Sequence, residues 1–260
     1  MNLSIIIPIF NSSKNIKNLI QKINYYIKKD LKFSKFEIIL VNDNSYDDSW
    51  STILDLSKKK KFIKGINLSK NFGQHNAIMA GLSFAKGNYI ITMDDDLEHS
   101  PKFLKNFIIQ LNEFDACYTY YKNRKHSFFK SAISKLNNYI SSFILNKPMY
   151  IYLSSFRGFK KKICKKIIKF KKNHVYIDYL ILKNTNKIKM ISVEHGKRAF
   201  GQGNYSIKKL FKLWSTMVLN SDLLPLKYNS IFNLFLKIIV KIFLRINKHY
   251  PQYIIKEKTF

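Results

Sequence analysis

Asn88-Tyr-Ile-Ile-Thr-Met-Asp94-Asp95-Asp96-Leu-Glu-His-Ser-Pro101 decides how this chain is read. It opens on an apolar run suited to a buried strand and closes on Ser100-Pro101, a pair that opens a helix. Asp94, Asp95 and Asp96 fall at the strand's C-terminal end. In open α/β sheets, ligands bind in the crevice outside those ends. Hard oxygen ligands gathered there suit Mg²⁺ or Mn²⁺, which shares them with a substrate's phosphates. Acids can also cap a helix and meet its dipole, but three in succession exceed what one cap needs.

Working outward, apolar runs over residues 3–10, 36–41, 62–67, 88–93 and 114–120 alternate with amphipathic stretches over 14–29, 47–59, 74–85 and 102–112. This alternation predicts an α/β fold, a mainly parallel sheet with helices on both faces and right-handed crossovers. Further on, helices are expected over 127–145, 160–170, 175–183 and 206–221, an extended segment over 150–159 and a strand over 187–193. We assign residues 1–205 to one catalytic domain and 206–260 to an amphipathic helical segment that associates with a membrane.

That last segment contains an apolar run over 230–246, interrupted by Asn233, Lys237, Lys241 and Arg245 at four-residue spacing. The spacing lines them along one helix side and leaves a broad apolar face. A spanning helix needs about 20 mostly apolar residues, and each central charge costs roughly 2.5–3.5 kcal/mol. A helix lying in the lipid interface fits better; a helix packed on the protein or on a second copy is the alternative.

The 260 residues, 46% of them hydrophobic, can bury one substantial core. Cys117 and Cys164 show no CxxC spacing, so they read as buried or idle thiols of a reducing compartment rather than a disulfide framework or a zinc site. The N-terminus runs straight into a strand without a basic leader, which points to the cytoplasm or the cytoplasmic face of a membrane. Net charge is +30, from 46 Lys+Arg against 16 Asp+Glu. Such a field draws anions, although a chain rich in Ile, Asn and Lys throughout also owes part of it to composition.

Three strand ends carry candidate chemistry. The first ends in Pro8-Ile-Phe-Asn11, the second in Val41-Asn-Asp43-Asn-Ser45, the fourth in the aspartate run. Asp43 suits hydrogen bonds from a nucleobase or ribose, and Asn11 suits a positioning role. Alone, Asp43 is equally a turn former, since Asp-Asn-Ser is ordinary turn chemistry. An Asp-x-Asp signature beside them points to a nucleotide-diphosphate-sugar site.

Together with Asn71-Phe-Gly-Gln-His-Asn-Ala-Ile-Met-Ala-Gly81, Asp94–Leu97, Phe156-Arg157 and Arg198-Ala-Phe-Gly-Gln-Gly-Asn-Tyr205, these residues resemble the inverting family-2 glycosyltransferases of GT-A fold. The resemblance spans about residues 3–227 and is strongest to the undecaprenyl-phosphate aminoarabinose transferases, more distant to dolichol-phosphate mannose synthases. It implies a sugar nucleotide held through Pro8, Asn11, Asp43, Lys70, Gln74 and Asp95, with Asp94 and Asp96 around Mg²⁺ or Mn²⁺ and Asp96 catalytic. It also implies that Arg124, Arg157 and Arg198, with Tyr205, face a diphosphate or a lipid phosphate, for which arginine offers a fork of donors.

The chain departs from the family pattern in four places. Ser12 stands where Glu is usual, Gly203-Asn204 replaces a Ser-Lys pair, Ile151 replaces an Asp, and the helix over 230–246 occupies the place of a first membrane span. A phosphate acceptor is largely ionised at neutral pH and tolerates loss of a general base, whereas a sugar hydroxyl needs one. For a hydroxyl acceptor, Asp178 in Tyr176-Ile-Asp-Tyr-Leu is the candidate base; it is equally a helix-capping acid. The expected partners are a nucleotide-sugar donor and a polyprenyl phosphate, or else a lipid-linked glycan of a surface polysaccharide. A basic nucleic-acid-binding protein is the reading of another class, and it leaves the carboxylate cluster unexplained.

Overall fold

A computed structural model describes residues 2–31, 35–121, 128–172, 174–194, 207–220, 238 and 251–260, of which 121, 128–133, 207–212 and 220 are described by their backbone. One mixed sheet of eight strands runs in the order β7-β5-β6-β4-β1-β2-β3-β8. The first four strands, β1 (Leu3–Ile9), β2 (Phe36–Asn42), β3 (Ile63–Leu68) and β4 (Tyr89–Thr92), are parallel neighbours. The chain builds outward from β1 to β3 and then returns to place β4 on β1's other side. The sheet therefore has its topological switch between β1 and β4, where α/β sheets open a crevice.

Side-chain alternation explains why these strands are nearly all apolar. Ile6, Ile39 and Val41 face one core with helices α3 (Gln74–Leu82), α6 (Lys161–Ile167) and α7 (Ile177–Asn184). Ile5, Ile7, Ile38 and Leu40 face the other, with α1 (Ser13–Tyr26), α2 (Ser49–Lys59) and α4 (Leu104–Glu113). A sheet covered on both faces has no polar side. Glu37 is a buried exception, held by Ser4 Oγ at 2.6 Å and Lys64 Nζ at 2.5 Å, which with Lys86 N–H keep its carboxyl low against burial. Gly87 passes so close to β1 that a Cβ there would lie 2.5 Å from the Ser4 nitrogen.

Beyond β4, β5 (Ala116–Tyr121) and β7 (Ile188–Val193) pair in parallel, and β6 (Arg157–Lys160) lies antiparallel between β5 and β4. Helices α5 (Phe128–Leu145) and α8 (Ile207–Asn220) pack together over the same face as α7. Among the described residues no helix is long and apolar enough to cross a membrane.

The strands and helices agree with the sequence reading to within a few residues, with three corrections. Helix α1 runs on as a π-helical turn, Ile27–Leu31. The extended stretch expected over 150–159 becomes strand only at Arg157. Within 206–260, expected to be an amphipathic helical segment, Ile255–Lys258 forms an eighth strand, β8, antiparallel to β3. It is fastened by Ser69 N–H to Ile254 O at 2.9 Å, Gly65 N–H to Thr259 Oγ1 at 2.9 Å and Trp50 Nε1 to Glu257 at 3.0 Å. Apart from Ile238, the helix over 230–246 lies outside the described residues.

Candidate active site

Pro8 opens the crevice. Ile6 O accepts from Met93 N–H and Ile9 O from Asp43 N–H, so alternation turns Pro8 toward β4, where proline's missing N–H ends the ladder. Beyond Ile6↔Thr92 the two strands part. At the end of β1, Asn11 takes a left-handed conformation (φ 53°), which asparagine tolerates, and its Oδ1 accepts from Tyr46 N–H at 2.9 Å. Asn11 thus ties the ends of β1 and β2 together.

Asp43 is buried at the end of β2 and accepts from the N–H groups of Phe72 at 2.7 Å and Gly73 at 2.8 Å. These bonds build the turn that starts α3, where Gly73 sits at φ 88°, a conformation glycine adopts without a side-chain penalty. Burial raises the Asp43 carboxyl, and the two N–H groups oppose that rise. Its turn-forming and cavity-lining roles coexist. Pro8, Phe10, Asp43, Asn71, Gly73, Gln74 and Asp94–Asp96 line a cavity of about 430 Å³. Lys70 is exposed beside it, its ammonium 5.1 Å from the ring centre of Phe72.

A second cavity of about 320 Å³ lies on the far side of the aspartates. Gln74, Asp94 and Asp96 belong to both walls. Asp94 Oδ1 accepts from Gln74 Nε2 at 2.7 Å, its Oδ2 accepts from Ser155 Oγ at 2.6 Å, and its N–H donates to His99 Nδ1 at 3.3 Å. Asp96 Oδ1 accepts from Glu98 N–H at 3.0 Å, across Leu97, which is held at φ 65°. A bulky residue in that region is strained, and such strain gathers at functional sites. Asp95 carries the electrostatic signature of the cluster: burial first, then the charges of Asp94 and Asp96, lift its carboxyl to about 6 against bonds from Ser12 and Phe10.

The second cavity is polar. Thr119, Ser134, Asn137, Asn138, Ser141 and Ser154 contribute hydroxyls and amides. Its described cation, Arg157, is fully buried and pairs with the buried carboxylate of Asp178, leaving Arg157 Nε without a partner. Tyr118 and Tyr176 stand beside them, and burial followed by the charge of Asp178 pushes both phenols well up. His75 is half-buried, edge-on to Tyr176, and accepts from Ile177 N–H at 3.4 Å, fixing the start of α7; the packing around its ring drops it to about 4, so it is neutral.

The fold therefore brings Pro8, Asp43, Gln74, Asp94, Asp95, Asp96, Arg157 and Asp178 to two cavities that share a wall, with Lys70 exposed beside the first; Asn11 is exposed at the end of β1 and lines neither. Arg124, Arg198 and Tyr205 lie outside the described residues. Asp178 enters as the ion-pair partner of Arg157 rather than as an unpaired base or a helix cap. Ile151, where an acid was looked for, is buried in the core. His75, His99 and Ser155 went unread in the sequence, although His75 and His99 lie inside the two most informative stretches. Cys117 and Cys164 are buried with thiols pushed up to about 12, as unreactive as expected.

Residues 4–168 match the model of Glycosyl transferase family 2. The chain belongs to that family. It is 30% identical over 231 residues to undecaprenyl-phosphate 4-deoxy-4-formamido-L-arabinose transferase of Enterobacter sp. (strain 638), spanning 88% of this chain and 70% of that protein. Among solved structures it resembles S. aureus TarS 1-349 in complex with UDP-GlcNAc, with a TM-score of 0.52 and 20% identity over 94% of this chain and 72% of that one. It also resembles glucosyl-3-phosphoglycerate synthase from Mycobacterium tuberculosis with Mn²⁺, UDP-glucose and phosphoglyceric acid, at a TM-score of 0.60 and 12% identity over 84% and 79% of the two chains. The fold of this glycosyltransferase is GT-A, α/β with a mostly parallel, Rossmann-like sheet.

Proposed function

We propose that the enzyme moves a sugar from a nucleoside-diphosphate donor to a polyprenyl phosphate of undecaprenyl type. The observation that carries this reading is the shared wall: Asp94, Asp96 and Gln74 border both cavities. A donor lying across that wall has its nucleotide beside Asp43 and Asn71 and its sugar toward the second cavity. The acceptor class is supported by the relative named for undecaprenyl phosphate.

A divalent cation fits the aspartates. Among the described residues no three acidic, histidine or cysteine groups form a closed cage. Magnesium-type sites commonly use one or two carboxylates and complete the sphere with substrate phosphates. Burial and then the charges of Asp94 and Asp96 lift the Asp95 carboxyl, so a cation bound there would relieve repulsion among the three acids. Asp94 and Asp96 would hold Mg²⁺ or Mn²⁺, which when bound neutralises charge on a departing diphosphate. Gln74 and Ser155 orient Asp94, Glu98 N–H orients Asp96, and buried Arg157 and Asp178 shape the acceptor side. A phosphate acceptor attacks in its ionised form without an enzyme base.

A second reading follows from the lining of the second cavity, where hydroxyls and amides prevail and Arg157 is engaged by Asp178. Such a surface suits a sugar hydroxyl acceptor on a lipid-linked glycan, with Asp178 as base once its pair opens. We place the protein peripherally on the cytoplasmic membrane face, with residues 206–246 as the contact. Release of nucleoside diphosphate in a donor screen with Mn²⁺ tests the function. Turnover with undecaprenyl phosphate alone supports the first reading; turnover only with a lipid-linked saccharide supports the second.

A further inference from the structure

Asp94 is gripped from both cavities at once. Gln74, at the start of α3, borders both and donates to Oδ1; Ser155 borders the second and donates to Oδ2 at 2.6 Å. The segment around Ser155, residues 151–156, is neither helix nor strand. Side-chain bonds fasten it: Ser155 O accepts from Thr92 Oγ1 at 2.8 Å, Ser154 Oγ lies 3.1 Å from Thr119 Oγ1 and accepts from Phe156 N–H at 3.2 Å. The ends are further anchored, Phe156 O by Thr119 Oγ1 at 3.0 Å and Ile151 O by Lys147 Nζ at 2.6 Å, with both hydrophobic side chains buried; between them residues 152–155 join no strand ladder, and such a stretch opens locally at low free-energy cost. Ser155 is the link in it that ends on the carboxylate rather than on the sheet.

Resting on the donor reading above, we infer that Ser155 is a positioning residue that transmits occupancy of Asp94 to the acceptor-side wall. Without a cation, Asp94 is one of three adjacent carboxylates, and its partly exposed side chain lets water compete for Ser155 Oγ. With a cation and a diphosphate in place, the charge is balanced and the carboxylate is fixed in one orientation, as outer hydrogen bonds fix metal ligands generally. The Ser155 bond then persists, and residues 152–156 become ordered before the acceptor arrives. By linkage, whatever orders that segment also tightens the donor.

The test is amide hydrogen exchange on the whole chain, with Mn²⁺ and UDP, and separately GDP, as probes and no acceptor present. Saturating Mn²⁺–nucleotide should slow exchange at residues 152–156 by about fivefold or more, within the usual range of coupling between sites. In Ser155→Ala the slowing should vanish at saturation, with nucleotide affinity lowered by about tenfold; Ser155→Thr should restore both. Thr92→Val should quicken exchange in free and bound protein alike while leaving the ligand-induced ratio intact, which separates transmission from mere fastening. Unchanged or faster exchange in the wild type, or undiminished slowing in Ser155→Ala, overturns the inference while the donor reading stands. Failure of both nucleotides to bind removes the donor reading, and this inference falls with it.

Discussion

The guanidinium of Arg157, on β6, and the carboxylate of Asp178, in the first turn of α7, form an ion pair with both residues nearly inaccessible to water. The pair joins two separate elements of the chain, and it lies in the wall of the second cavity. Removing one member of a buried pair strands the other charge and typically costs 3–5 kcal/mol, whereas replacing both by apolar groups can be neutral. Arg157→Met and Asp178→Leu should each lower stability by about that amount. Arg157→Met with Asp178→Leu should be less damaging than the sum. Denaturant unfolding of the four proteins checks this, and additive losses would show that the two groups act separately.

Asp96→Asn keeps the side chain's shape and an oxygen for Glu98 N–H while removing its charge. Turnover should fall about 10²–10³-fold, the usual loss when a group that stabilises developing charge is removed. The melting temperature should stay close to that of the wild type. Retained nucleotide release would take Asp96 out of the chemistry.

His75 makes stability depend on pH in a definite direction. Unfolded, it takes a proton near its ordinary value of 6.5; folded, it resists until about 4. Stability is therefore complete above pH 6.5 and declines as pH falls toward 4, by roughly 3 kcal/mol at the limit. His75→Asn retains an acceptor for Ile177 N–H but does not titrate. Urea unfolding at pH 7.5 and pH 5 should show a smaller difference in this variant than in the wild type.

Lys147 is a buried ammonium that donates to Ile151 O at 2.6 Å, Asn138 Oδ1 at 2.8 Å and Ser142 Oγ at 2.9 Å. Burial lowers it to about 8. Lys147→Met leaves those acceptors without their donor, a loss of about 1–3 kcal/mol. Because Asn138 and Tyr152 border the second cavity, the acceptor's KM should rise more than the donor's. Steady-state kinetics varying each substrate in turn would show the split.

Deleting residues 251–260 strips β8 from β3 and exposes a sheet edge, a ready template for pairing between chains. It also removes the Phe260 ring from Phe84 and Tyr253 from Ser83. We expect a lower melting temperature and concentration-dependent association by light scattering; because Ile254 O holds Ser69 next to Lys70 and Asn71, nucleotide affinity should also fall, which titration of UDP and GDP would read.

The central sheet was legible because period and composition agree along each strand: 3–9 and 36–42 are apolar on both faces, and gaps of helical length separate them. The aspartate cluster and Asp43 could be read because strand ends bring distant stretches together by rule. The partner of Asp178 could not be read. Its pairing with Arg157 joins residues 21 apart across two elements, and no local pattern encodes it. Ile255–Lys258 escaped for the same reason: its strand partner among the described residues is β3, nearly 190 residues earlier in the chain.

By itself, the sequence determined the α/β alternation, the parallel core and the acids at the strand ends, because periodicity and turn chemistry act over a few residues. Tertiary structure decided which side chains share a wall: Gln74 and Ser155 on either oxygen of Asp94, His75 under Tyr176, β8 along β3. These relationships depend on where the strands and helices pack, and long-range packing has no short-range signature in the chain.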